Sequence, residues 1–92
     1  MKINFEKFRL FKGVAKQDVE VLNVKRVFAD ELYNRGQGIA FHALAFKIYN
    51  SNGETEYTDD EYMLMVMFSE QCMSPNFMDS IKALKDESKI DI

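Results

Sequence analysis

The apolar positions of this 92-residue chain change their period as the sequence is read. From Ile3 to Phe11 apolar and charged residues alternate at period two, with Ile3 and Phe5 in one phase and Phe8 and Leu10 in the other. One strand with a bulge near Lys7 is expected there. Lys12 to Gln17, which includes Gly13, reads as a hairpin connection, and Asp18 to Leu22 as the returning strand with Val19 and Val21 on one face. From Asn23 onward the period becomes helical. Val24, Val27, Phe28 and Leu32 fall at i, i+3, i+4 and i+8 behind an Asn23 cap, and Gly36-Gln37-Gly38 is a stop signal. Ile39 to Tyr49 is a second helical pattern, apolar on nearly every side except at His42 and Lys47, as in helices that are central or interfacial.

The second half carries the clearest local signals. Asn50-Ser51-Asn52-Gly53 is a turn, and Glu54 to Tyr57 a short third strand. Thr58-Asp59-Asp60-Glu61 fits a capping box, in which the Thr58 hydroxyl and the Glu61 carboxylate each accept from the other residue's amide. Asp59 and Asp60 place negative charge at the positive end of the helix dipole. That helix is expected over residues 59–72. Ser74-Pro75 opens another, with Phe77, Met78, Ile81, Leu84 and Lys85 as its inner stripe and a charged tail from Asp86 that frays. The pattern predicts one α+β domain over residues 1–92: a β-hairpin (1–22) packed on about four helices (two over 23–50, two over 58–86), a short strand at 54–57 and a frayed tail at 87–92.

Composition agrees with a folded chain. It is 47% hydrophobic and 13% aromatic with four Gly and one Pro, which excludes wholesale disorder. The net charge of −3 conceals an asymmetry: residues 1–50 carry nine Lys/Arg against five Asp/Glu, and residues 51–92 three Lys against ten Asp/Glu. Cys72 is the single cysteine, so no disulfide forms within the chain and a reducing, cytoplasmic setting is expected. The opening residues alternate apolar and charged side chains and lack the apolar core of a signal peptide. The longest apolar run, Tyr62 to Phe68, is far shorter than the ~20 residues of a membrane span, so no membrane partner is expected.

The chemistry-bearing residues are few. One histidine and one cysteine cannot assemble a Cys/His zinc site, and no Gly-rich phosphate loop, G-x-S-x-G or H-E-x-x-H occurs, so no cofactor is expected. Asp59, Asp60 and Glu61 have the composition of a magnesium site, but successive helical residues diverge by about 100°, and capping accounts for all three. His42 reads as a core or interface histidine and Cys72 as a small buried hydrophobe. A small enzyme using either of them is the second alternative function.

Five of the six methionines lie in the last thirty residues, and Tyr62 to Phe68 is apolar around the whole helix. A domain this small has difficulty covering two such helices. Phe41, Leu44, Met63, Met65, Met67 and Phe68 are therefore the candidate interface for a second copy or another protein. The basic half suggests nucleic acid as the first alternative, with Lys7, Arg9, Lys12, Lys16, Lys25 and Arg26 as contacts and Phe5, Phe8 and Phe11 interleaved for stacking. Against it, those phenylalanines suit the buried face of a hairpin, and the pI near 5.1 is far from basic. A helix-turn-helix at Gly36 to Gly38 would leave only His42 and Lys47 to read a groove.

Lys2-Ile3-Asn4-Phe5, Ile48-Tyr49 and the stretch Ser51-Asn52-Gly53-Glu54-Thr55-Glu56 leading into Thr58-Asp59-Asp60-Glu61 resemble small uncharacterised proteins of phages, prophages and mobile elements of gut bacteria. The resemblance is one of pattern over residues 1–85. It implies an accessory or host-interacting product and transfers no catalytic residue. The function expected from the sequence is a non-enzymatic protein-interaction module that pairs with itself through apolar Met-rich helical surface.

Overall fold

A computed structural model describes residues 1–90 of the chain, with side chains to Lys85. The alternation at the N-terminus does not form the single strand expected over Ile3 to Phe11. It forms β1 (Lys2–Ile3) and β2 (Phe8–Phe11), separated by a 3-10 turn at Phe5–Lys7. Asn4 caps that turn, its side-chain oxygen accepting from Glu6 N at 3.0 Å. β2 pairs antiparallel with β3 (Val19–Leu22), Phe8 opposite Leu22 and Phe11 opposite Val19. β1 instead pairs with β4 (Thr55–Glu56), Lys2 opposite Glu56. The slip in phase near Lys7 is thus a change of partner, and it lets Phe5 and Phe8 both enter the core, their rings stacked at 6.0 Å.

Four helices pack on these two ribbons. α1 (Lys25–Arg35) and α2 (Ile39–Tyr49) form a hairpin whose open end is closed where Lys25 Nζ donates to Ser51 O at 3.1 Å. Val24 occupies the cap position of α1, one residue later than expected, while the Asn23 side chain accepts from Lys25 N at 3.2 Å. Val24 is drawn into the core and donates its amide to Phe5 O at 2.8 Å, which fixes the helix start. The inner stripe of α1 is Val24, Phe28, Ala29 and Leu32. Val27, expected inside, is exposed.

The α1–α2 turn depends on two glycines for different reasons. Gly38 has φ +98°, a region disfavoured for other residues. Gly36 has an ordinary φ, but a Cβ there would sit 2.5 Å from Leu32 O and 2.7 Å from Phe41 Cβ. Gly36→Ala is expected to lower stability by about 1–3 kcal/mol through overpacking, read as a reduced urea midpoint. An unchanged midpoint would show that the turn has room to move.

α3 (Asp59–Cys72) begins at the expected capping box: Glu61 N donates to Thr58 Oγ1 at 3.1 Å and Thr58 N to Glu61 Oε1 at 2.8 Å. Lys47 of α2 adds a second bond to the same carboxylate oxygen at 2.7 Å, which ties α3 to α2. Partial burial pushes the Glu61 carboxyl up, but the hydrogen bonds from Lys47 and Thr58 outweigh it and hold its pKa below the usual value of 4.5. A depressed folded pKa stabilises above the unfolded value, and that contribution is lost as pH falls through the folded one. Thr58→Ala is therefore expected to cost about 1 kcal/mol near neutral pH. Glu61→Gln is expected to cost up to about 1 kcal/mol there, and its difference from wild type should close in melts taken well below pH 4.5. A gap for Glu61→Gln that stays constant with pH would contradict the charge argument.

α4 (Pro75–Ile90) starts at the proline as expected and continues helically past Asp86, where fraying is expected. The segment holds helix-forming Lys and Glu and neither Gly nor Pro to end it. Residues 91–92 of the expected tail lie outside the described residues. Phe77 and Ile81 are buried, Met78 and Leu84 half-buried, and Lys85, expected inside, is exposed. In its place Ser80 is buried, because the edge of β2 needs it. Lys12 N donates to Asp18 O, so the amide and carbonyl of Phe11 face away from β3. Ser80 Oγ accepts from Phe11 N at 3.0 Å, and Asn76 Nδ2 donates to Phe11 O at 3.1 Å.

The core is aromatic. Phe28 is fully buried, with ring centroids 5.5 Å from Phe5, 6.1 Å from Phe68 and 5.0 Å from Phe77. The radius of gyration is 12.5 Å, against roughly 12.3 Å for a compact chain of this length. Among the described residues no helix is long and apolar enough to cross a membrane.

Candidate interaction face

α2 is apolar nearly all round, so packing one side of it leaves apolar residues on the other. Leu44, Ala45 and Ile48 face the core and are buried. Ile39, His42, Phe46 and Tyr49 follow at i, i+3, i+7 and i+10, a single helical stripe, and all are exposed. Ile39 keeps 87% of its surface, Phe46 47% and Tyr49 52%, and Tyr33 on α1 keeps 58%. Tyr33 stands edge-on to Phe46, centroids 5.8 Å apart at 90°, and the His42 ring lies 4.9 Å from Phe46 and 5.8 Å from Tyr33. These are aromatic–aromatic contacts made on the surface rather than in the core.

Beside this cluster the two helices leave an open groove of about 260 Å³, lined by Arg26, Ala29, Asp30 and Tyr33 from α1 and Ala45, Phe46 and Tyr49 from α2. Ala29 and Ala45 are buried and form its floor. Short side chains at the helix contact leave the space that the longer neighbours wall. Arg26 and Asp30 are exposed and one helical turn apart. On the same helix Arg35 and Glu31 pair at 3.0 Å, whereas neither Arg26 nor Asp30 has an ion pair among the described residues.

The structure divides the interface set expected from the sequence. Leu44, Met65 and Phe68 are buried in the core, so they present no surface. Phe41 is half-buried against Phe68 at 5.9 Å, beneath Gly36. Met63 and Met67 are 53% and 49% exposed, one turn apart on α3. Met63 also borders a second hollow of about 220 Å³ with Met1, Asp59, Tyr62 and Lys85. The Met-rich helix is therefore core on one side and a two-methionine patch on the other. The larger exposed apolar face belongs to α1 and α2.

The basic set is likewise divided. Lys7, Arg9 and Lys12 are exposed on or beside the hairpin. Lys16 lies over the Phe11 ring at 5.6 Å and 3.8 Å from Asp79, and Lys25 is held by Ser51 O and by Glu6 at 4.0 Å. Arg26 belongs to the α1–α2 groove. Phe5 and Phe8 are buried and offer no stacking surface, which leaves the half-buried Phe11.

His42 stands among aromatic rings on the outer face of α2, and Cys72 is half-buried against the core at the end of α3. No hydrogen bond joins them among the described residues. No group of three or more His, Cys, Asp or Glu that could hold a metal ion occurs among the described residues. Asp59, Asp60 and Glu61 lie in the first turn of α3, with Glu61 committed to the capping box and to Lys47. Tyr57 packs beneath Lys47 Nζ, 4.9 Å from its ring, and burial pushes its hydroxyl up. Nearby Ser51 donates its own hydrogen to Ile48 O, and Tyr57 Oη has no hydrogen-bond partner among the described residues.

Tyr33, Ile39, Phe46 and Tyr49 are absent from the expected interface. One signal for the α2 face was present. His42 and Tyr49 lie seven residues apart, on one face, and polar-tipped side chains mark the side that meets water. No family model, curated protein or solved structure matches the chain.

Proposed function

We propose that this protein is a non-enzymatic interaction module that self-associates through the α1–α2 aromatic face. The observation that carries the reading is the exposure of Tyr33, Phe46 and Tyr49 around a groove floored by alanine, with Ile39 exposed farther along the same stripe of α2, in a chain whose core is closed elsewhere by buried aromatics. Contiguous apolar patches of this kind on small domains mark binding surfaces, and aromatic side chains dominate binding energy where they become buried. Tyr33, Phe46 and Tyr49 are already about half covered, so each gains on the order of 1 kcal/mol on full burial. Set against the entropy of association, gains of that size suit a weak, reversible dimer.

The face can be mapped by amide and side-chain NMR on dilution. Resonances of Tyr33, Ile39, His42, Phe46 and Tyr49 are expected to shift with concentration while those of Met63 and Met67 stay fixed. Shifts centred on Met63 and Met67 would move the interface to α3. Shifts in neither region would remove the reading.

A further inference from the structure

We infer that the α1–α2 face is built for a second copy in a closed two-fold dimer, registered by reciprocal Arg26–Asp30 ion pairs across the groove. This rests on the self-association proposed above and adds its symmetry and its specificity-determining residues. A two-fold interface must be its own complement: what residue i meets in residue j, residue j must meet in residue i. The groove wall has that property. Arg26 and Asp30 are exposed on α1, opposite in sign, and without ion pairs among the described residues. At ~1.5 Å rise per residue they stand about 6 Å apart along the helix. An axis crossing α1 midway between them sets a second α1 antiparallel to the first, with each arginine opposite the other copy's aspartate.

The rest of the face fits the same axis. α1 and α2 run antiparallel, so Tyr33 lies toward the connecting turn and Tyr49 toward the open end of the hairpin. A half-turn about the groove centre lays the Tyr33 end of one copy on the Tyr49 end of the other. The product is a four-helix layer closed by symmetry, with no free copy of the face left to continue a chain of subunits. Its rim pairs meet solvent, so association weakens as salt rises.

Charge exchange tests this directly. Arg26→Glu places two acids on the wall, and Asp30→Arg places two bases there. Both positions are exposed, and a glutamate in the first turn of α1 suits the helix dipole, so both variants are expected to fold. In sedimentation velocity at low salt, each variant alone is expected to associate roughly tenfold or more weakly than wild type. An equimolar mixture is expected to form a heterodimer close to wild-type strength. Single variants that associate like wild type, or a mixture no tighter than either variant alone, would overturn the reciprocal pairing. Wild-type association that depends on Phe46 but ignores both charge variants would overturn this inference alone. A monomeric wild type would overturn the underlying reading as well.

Discussion

Phe46→Glu is expected to abolish self-association while leaving the fold in place. Phe46 is half-exposed and touches Tyr33 and His42, residues that are themselves on the surface, so its removal opens no cavity in the core. At the centre of an interface, however, it is the kind of aromatic anchor whose truncation costs 2 kcal/mol or more, by typical alanine scans. A buried carboxylate without a partner adds to that. Association should weaken by roughly a hundredfold or more, while the melting temperature measured on dilute protein stays within a few degrees of wild type. A variant that unfolds would show that Phe46 belongs to the core. A variant that folds and associates like wild type would show that the face is not the interface.

The second large effect lies inside the molecule. Phe28 is fully buried and contacts Phe5, Phe68 and Phe77, so it joins the N-terminal turn, α1, α3 and α4 in one cluster. Phe28→Ala is expected to cost about 3–5 kcal/mol, a large part of the ~5–15 kcal/mol by which domains are stable. Val27→Ala, one residue away but exposed, is expected to change stability by no more than about 0.5 kcal/mol. Urea denaturation of the pair measures the contrast directly. Similar costs at the two positions would mean that the inner stripe of α1 is wrongly placed.

What could be read from the sequence was what short stretches decide for themselves. Thr58 and Glu61 are three residues apart and satisfy each other's amides, so the start of α3 is written locally. The same holds for Pro75 at the start of α4 and for the extent of α2. Strand pairing was less accessible. Alternation from Ile3 to Phe11 suggests extended chain with one side buried, but it names no partner and hides the turn at Phe5–Lys7. The partner of Lys2 is Glu56, more than fifty residues away. The break between β1 and β2 depends on Glu6, whose carboxylate accepts from the amide of Gly53 and faces Lys25. Both contacts are invisible to a local pattern.

The exposed face of α2 was hard to read for a related reason. An α2 that is apolar on almost every side has no period to show which side faces in, so Phe41 and Leu44 looked as suitable as Phe46 and Tyr49. The same ambiguity on α3 placed the buried Met65 and Phe68 with the exposed Met63 and Met67. Tertiary packing resolved it, since α1 packs along one side of α2, burying Leu44, Ala45 and Ile48, and leaves the stripe through Ile39, Phe46 and Tyr49 bare. The −3 net charge is equally uninformative about association. Opposite charges at Arg26 and Asp30 cancel in the total and acquire meaning only when placed on one groove wall.

The central claim is that this chain is a reversible dimer. Sedimentation equilibrium of the wild-type protein at low salt, from low micromolar to several hundred micromolar, tests it most directly. The account predicts a mass that rises with concentration from 10.7 kDa and levels off at twice that value. A mass that stays at 10.7 kDa throughout would contradict it.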